Sequence, residues 1–272
     1  MSSTPATLAA PIPQGTMARF KEGFSDAMAV VQRDLIGLFR TPQLLVFSTI
    51  QPVIFVLLFR YVFGGAIDPP GPVPYVDFLM PGIFVQTAVF GSMGTAIGLA
   101  TDMKKGLLER FRSLPMARSA VLFGRTGADF FRNVFVTILM AAVGFAAGFR
   151  IHTSMVGFLG ALALILSFGY VFSWVMATLG LATGDPEAAQ AAAFPAMAPL
   201  VFASSAFVPI QSMPGWLQWW AENQPVSVTA NAARAITLGQ PAGSHILKCL
   251  AWSVVLLGLF VPIAVRRYRK TV

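Results

Sequence analysis

Met155–Ala182 reads MVGFLGALALILSFGYVFSWVMATLGLA, twenty-eight residues without one Asp, Glu, Lys or Arg. A helix rises about 1.5 Å per residue, so roughly 20 apolar residues cross the hydrocarbon core of a bilayer. In lipid the backbone must satisfy its own hydrogen bonds, and a helix does so within one segment. The stretch is therefore a membrane-spanning helix, long enough to tilt or to extend past the bilayer. Five further apolar stretches lie around it: Leu44–Gly64, Leu79–Ala100, Asn133–Phe149, Ala188–Val208 and Ile246–Val265. The third span is short. The fifth is rich in alanine, and its Pro195 and Pro199 are expected to kink it, as Pro52 is expected to kink the first.

Composition agrees. Of 272 residues, 56% are hydrophobic and 11% charged, with a mean hydropathy of +0.71. A soluble domain carries about 25% charged residues, so this chain lacks the charge to coat a globular surface. That excludes a soluble enzyme and a disordered or collagen-like chain. The expected class is an all-α polytopic membrane protein of six spans, occupying residues 44–265.

The net charge of +8 is explained by topology. Six spans put both termini on one side of the membrane. That side carries fifteen basic residues: four before the first span, seven from Lys104 to Arg132, and four in the tail 266–272. The other side and its span edges carry Arg60, Arg150, Arg234 and Lys248. Lysine and arginine concentrate on the cytoplasmic side, so both termini are expected in the cytoplasm and nucleic acid is not an expected partner.

Outside the spans, residues 1–15 read as a flexible polar tail, without the basic start or long apolar run of a signal peptide. Across 16–41, Met17, Phe20, Phe24, Met28, Val31, Leu35 and Leu38 form one apolar stripe at helical spacing, ended by Thr41-Pro42. Such a helix lies in the cytoplasmic interface, as an anchor or as a lever against a partner. The loop 101–132 reads TDMKKGLLERFRSLPMARSAVLFGRTGADFFR. Leu107, Phe111 and Leu114 share a helical face, Pro115 breaks it, and a second helix is expected from about Ala117. Arg118, Arg125 and Arg132 lie seven apart on that helix, with Asp129 four after Arg125 as a potential pair. A basic loop can touch anionic headgroups; this one also displays apolar residues between its charges, as a docking surface does.

On the opposite side, 66–77 is a proline-rich connector. The segment 209–245 carries Trp216, Trp219 and Trp220 and a short helix expected over Ser227–Leu238, dipping back toward the membrane. An aromatic belt and an external gate are the two readings. Gly94/Gly98, Gly144/Gly148 and Gly180/Gly184 have the four-residue spacing that permits close helix packing.

Catalytic chemistry is absent from the pattern. His152 and His245 stand apart, Cys249 is the only cysteine, no carboxylate pair falls within an expected span, and no Gly-Lys dipeptide exists to build a phosphate loop. An active transporter of this pattern would need its energy from another chain.

Taken together, the interfacial helix, the six spans, LERFRSLPMARSAVLFGR (Leu108–Arg125) and SMPGWLQWWAENQPVSVTANAARAITLG (Ser212–Gly239) resemble the ABC type-2 transporter permeases, most of all the daunorubicin-resistance type of actinobacterial multidrug permease. The resemblance implies a multi-pass subunit of an ATP-driven exporter in the bacterial plasma (inner) membrane. It would not itself be an enzyme and would bind no cofactor directly, with ATP and Mg used by the partner. Two permeases, identical or related, would pair with two ATP-binding subunits. Glu109, Arg110, Arg112, Leu114, Pro115, Met116 and Arg118 would dock in the ATPase groove. The family builds its substrate path from the second and fifth spans, which here offer Phe84, Gln86, Phe90, Phe194, Met197 and Phe202, a lining suited to hydrophobic small molecules. Export of lipid or polysaccharide, an ion-coupled secondary carrier and a non-transporting assembly factor remain the competing functions.

Overall fold

The computed structural model describes residues 28, 30–34, 36, 37, 40, 42–67, 72–107 and 120–271. Helix α1 (Pro42–Leu57) widens into a π turn, Leu58–Val62. Helices α2 (Tyr75–Gly91) and α3 (Met93–Lys104) form one rod, interrupted only at Ser92. Then come α4 (Ala120–Ala146), α5 (Met155–Thr183), α6 (Pro186–Phe202), a 3-10 turn (Ile210–Ser212), α7 (Gly215–Asn223), α8 (Pro225–Thr237) and α9 (Gly243–Thr271). Among the described residues there is no strand.

Four helical stretches are long and apolar enough to cross a membrane: Tyr75–Lys104, Val121–Ala146, Met155–Thr183 and Gly243–Lys270. Thr49–Val62 is a shorter apolar helix. The chain is an all-helical, multi-pass membrane protein. Its outer surface fits lipid: Leu247 and Val254 of α9 are each 70% exposed. In water such a face would drive aggregation; acyl chains solvate it without penalty.

Local chemistry sets the ends. The Ser154 hydroxyl caps α5 by accepting the Gly157 N–H at 3.1 Å. At the other end Gly184 takes φ +67°, a conformation natural to glycine, and its N–H bonds the Gly180 carbonyl. Asp185 and Pro186 at once start α6, so a two-residue link joins two helices.

α5, apolar on every side, packs against α2, α3, α4, α6, α8 and α9. One core, around Leu79, Ile83, Phe84, Phe149 and Phe168, fills most of the bundle. A second, around Leu99, Leu122, Trp174 and Tyr268, fills the end where α3 finishes and α4 begins. α3 approaches α5 so closely that a methyl group at Gly180 would collide with the Ala96 backbone.

The third span departs from the sequence reading. Residues 120–132, expected in a cytoplasmic loop, continue into the span as one helix of 27 residues, α4. Arg125, Asp129 and Arg132 are tolerated there because each finds a partner inside the protein. Of the expected interfacial helix, the described residues at 28 and 30–34 are helical. Val30 and Val31 are buried, with Val31 beside Gly127 of α4.

Candidate functional site

Three clusters of polar and aromatic side chains occupy successive levels of the bundle. The first joins the residue 30–34 stretch to α3 and α4. Asp34 accepts from Arg125 Nη1 at 3.0 Å and from Arg33 at 2.7 Å, and Asp102 lies 3.6 Å from Arg33 and 4.0 Å from Arg125. Two cations face two carboxylates, so the group is neutral overall. Gly98 makes it possible, because a side chain there would occupy the space of the Arg125 guanidinium. Nearby, Lys104 Nζ donates to Asp185 at 2.6 Å, tying the end of α3 to the start of α6. That ammonium, and then the Ala188 N–H, hold the Asp185 carboxyl below its ordinary range. The predicted docking residues Glu109, Arg110, Arg112, Leu114, Pro115, Met116 and Arg118 lie outside the described residues; the ion-pair group flanks that segment on both sides.

The second cluster lies within the membrane-spanning region. Arg132 is about 18 Å along α4 from Ala120. Its guanidinium bonds Asp129 at 3.0 Å and the Gly91 carbonyl, while Asp129 also accepts from Thr95. Asp129 makes its direct ion pair with Arg132, while its charge also acts on Arg125, the pair the spacing allowed. A methyl group at Gly91 or Gly94 would strike Asn133 or Arg132. The glycine spacing read as close helix packing therefore serves, at Gly94 and Gly98, to seat arginines. Beside Arg132 opens a cleft of about 250 Å³. Its walls include Gln51 of α1, Gln86 and Phe90 of α2, Arg132 and Asn133 of α4, and Phe194 of α6. The Gln86 Oε1, Asn133 Nδ2 and Thr137 Oγ1 atoms are buried without a hydrogen-bond partner.

The third cluster is a ladder of rings leaving the cleft. Phe90 stacks on Phe194 (6.0 Å between centroids, 17° between planes) and lies 6.3 Å from Phe202. Phe202 neighbours Phe207 at 5.8 Å, Phe207 stacks on Phe59 at 4.7 Å, and Phe59 meets Phe63 at 5.3 Å. The predicted path residues thus divide. Gln86, Phe90 and Phe194 line the cleft and Phe202 continues the ladder. Phe84 is buried edge-on against Phe149, and Met197 is buried in the same core. Sequence reasoning missed Arg132, Asn133, Phe59 and Phe207. The seven-residue spacing of Arg125 and Arg132, matched to the glycines of α3, was the available signal.

The far end is stitched by hydrogen bonds. Arg234 of α8, 8% exposed, donates to the carbonyls of Phe78 and Ser205 and to Asn231, and lies 3.6 Å over the Phe78 ring. The Tyr75 hydroxyl donates to the Phe207 carbonyl at 2.8 Å. Asp77, 1% exposed, accepts the Arg150 N–H and pairs with His152 at 2.7 Å. Trp216 and Trp219 on α7 project outward, 76% and 71% exposed.

Comparison with known proteins places this arrangement. The chain is 34% identical to a daunorubicin resistance ABC transporter permease protein of Streptomyces coeruleorubidus, over 84% of this chain and 81% of that one. It is 27% identical to a probable doxorubicin resistance ABC transporter permease protein of Mycobacterium tuberculosis, over 82% and 80%. A putative transport permease of Cyanophora paradoxa is 30% identical over 77% and 73%. Residues 26–238 match the ABC-2 type transporter family, and the chain belongs to it.

Proposed function

We propose that the chain is the permease subunit of an ATP-driven exporter of hydrophobic, drug-like molecules, acting with a separate ATP-binding subunit. The observation that carries this reading is the run of neighbouring phenylalanines from the cleft beside Arg132 to Phe63, just beyond the π turn. Its exposed rings, Phe194, Phe202 and Phe63, offer an apolar molecule contacts outside water, while the Phe207 ring is buried in the core. The relatives' names, daunorubicin and doxorubicin resistance, point to the same kind of cargo.

In this reading α1 with its π turn and α6 complete six spans, both termini are cytoplasmic, and α8 is the re-entrant segment of the outer face. Two permeases pair with two ATP-binding subunits in the bacterial plasma membrane. Residues 109–118 dock on the ATPase, with Leu114, Pro115 and Met116 supplying packing and Glu109, Arg110, Arg112 and Arg118 supplying register. Closure of the ATPase pair moves this segment against the Arg33–Asp34–Asp102–Arg125 group, which transmits the push to α3 and α4. The permease binds substrate and changes shape; ATP and Mg stay with the partner.

An ion-coupled carrier is the competing reading, since Asp129 is a carboxylate within a span. Its bonds to Arg132 and Thr95 already occupy it, which favours a structural charge over a proton relay. The test is efflux from vesicles holding the chain and its co-purifying ATP-binding subunit. ATP-dependent efflux that survives a protonophore, and falls at least tenfold in Glu109→Ala or Arg118→Glu while the complex still inserts, is the expected result. Efflux abolished by the protonophore and indifferent to ATP overturns it.

A further inference from the structure

Two arginines without a counter-charge meet at the end of α4. Arg60, in the π turn after α1, lies against the turn that closes α4: a methyl group at Gly148, where φ is +93°, would stand 3.0 and 3.1 Å from its two terminal nitrogens. Arg150 follows two residues later, exposed, with its Nη1 3.4 Å from the Phe149 carbonyl. Both guanidinium groups therefore flank the same dipeptide, Gly148-Phe149. Among the described residues neither meets a carboxylate. Asp77 is already taken: it is buried, accepts the Arg150 N–H and pairs with His152.

The usual duties of an arginine do not use these two up. The carbonyls of Val143, Gly144 and Phe145 already accept the N–H groups of Ala147, Phe149 and Gly148. The end of a helix carries only about half a negative charge, so most of the two positive charges stays uncompensated. Arg60 also lies 5.3 Å from the centre of the Tyr61 ring, a contact made by the face of the guanidinium that leaves its N–H edge free. Neighbouring cations repel until an anion lies between them. A phosphate offers two oxygens to that edge in the bidentate geometry guanidinium favours.

The surroundings select the source of the phosphate. Beside Arg60, Tyr61, Val62 and Phe63 are exposed. α4, which packs against α1, exposes Phe135, Ile138 and Phe145 on one face, about 15 Å of helix leading up to Arg150. Acyl chains solvate such faces without penalty, whereas a soluble anion would leave them bare. We propose that Arg60 and Arg150 bind the phosphate of an anionic glycerophospholipid, with its acyl chains along the exposed faces of α1 and α4. The lipid bridges the π turn and the end of α4. A headgroup carrying choline would bring a third cation to the site, so phosphatidylglycerol is favoured over phosphatidylcholine. The site concerns the bilayer rather than the cargo, and stands or falls independently of the exporter reading.

The test uses the full chain in a neutral detergent, titrated with phosphatidylglycerol, phosphatidylcholine or inorganic phosphate, with bound molecules counted by native mass spectrometry. Losing a hydrogen bond to a charged group weakens binding roughly ten- to hundredfold. The unaltered chain is expected to prefer phosphatidylglycerol to phosphatidylcholine at least about tenfold at its tightest site. Arg60→Gln and Arg150→Gln should each weaken that site by a similar factor. Arg269→Gln, in the basic tail that also attracts anionic lipid, should leave it unchanged. Should either glutamine variant fail to fold, the comparison of the two headgroups on the unaltered chain still decides. Equal affinity for the two lipids, or a phosphatidylglycerol site that survives both substitutions, overturns the proposal. Inorganic phosphate bound as tightly as phosphatidylglycerol overturns it as well, by marking a site for a soluble anion.

Discussion

At the scale of single residues, glycine does different work at positions that look alike in the sequence. Gly180 faces backbone: a β-carbon there would strike Ala96, and a packed helix cannot step aside as a side chain can. Gly98 faces the end of Arg125, so its missing side chain is the room in which a guanidinium reaches Asp34. Gly160, on the outer side of α5, has nothing within reach. The same substitution is therefore expected to have opposite effects. Gly180→Ala should destabilise the protein by about 1–3 kcal/mol, the usual range for forcing extra volume into a packed interior. Gly160→Ala should stabilise it by about 0.5–1 kcal/mol through helix propensity alone. Thermal unfolding of the purified chain in detergent reads both, and shifts of the same sign would mean that α3 and α5 are not in contact at Ala96.

At the scale of elements, the spans were legible wherever apolar length alone decided them: Met155–Ala182 became α5, Met155–Thr183, nearly to the residue. The start of α4 was not, because Arg125, Asp129 and Arg132 argue against a span until their partners on α2, on α3 and at Asp34 are known. Pairing between helices is a three-dimensional fact that hydropathy does not carry. The cleft was half legible for the same reason: Gln86, Phe90 and Phe194 belong to apolar spans and were named, whereas Asn133 and Arg132 were assigned to a span edge and a loop. The α5–α6 link shows how much a short polar connection can hold. Asp185 caps α6 by accepting from the N–H groups of Glu187 and Ala188 and takes a hydrogen bond from Lys104. Its pKa is lowered in the folded chain, chiefly by that lysine. A lowered carboxyl pKa contributes stability that is fully present above the unfolded-state value near 3.9 and is lost as pH falls through the folded value. Asp185→Asn keeps a capping oxygen but not the charge. Its melting temperature should lie roughly 1–3 °C below that of the parent at pH 7, and the gap should close below pH 4. A gap that widens on acidification would show that Asp185 is not the group that titrates.

At the scale of the whole molecule, drawing Arg125 and Arg132 into α4 takes two arginines out of the cytoplasmic count and leaves thirteen basic residues on that side against Arg60, Arg150, Arg234 and Lys248. Those two never had to choose a side of the membrane, because Asp34, Asp102 and Asp129 neutralise them inside the bundle. Arg234 is likewise buried among carbonyls and the Phe78 ring, so the outer count shrinks as well and the asymmetry persists. It is the flanking lysines and arginines that orient a helical membrane protein. On that argument α7, with its three tryptophans, is expected to face outward and the end of α9 to face the cytoplasm. The chain is well suited to a direct check, since Cys249, its only cysteine, is 1% exposed and should not react. A cysteine at Trp219, 71% exposed, is expected to take up a membrane-impermeant maleimide in intact cells. One at Arg269, exposed on the last turn of α9, is expected to do so only after the membrane is opened. Labelling in the opposite order would invert the protein in the bilayer. It would place the Arg33–Asp34–Asp102–Arg125 group on the outer side, beyond the reach of any cytoplasmic ATPase.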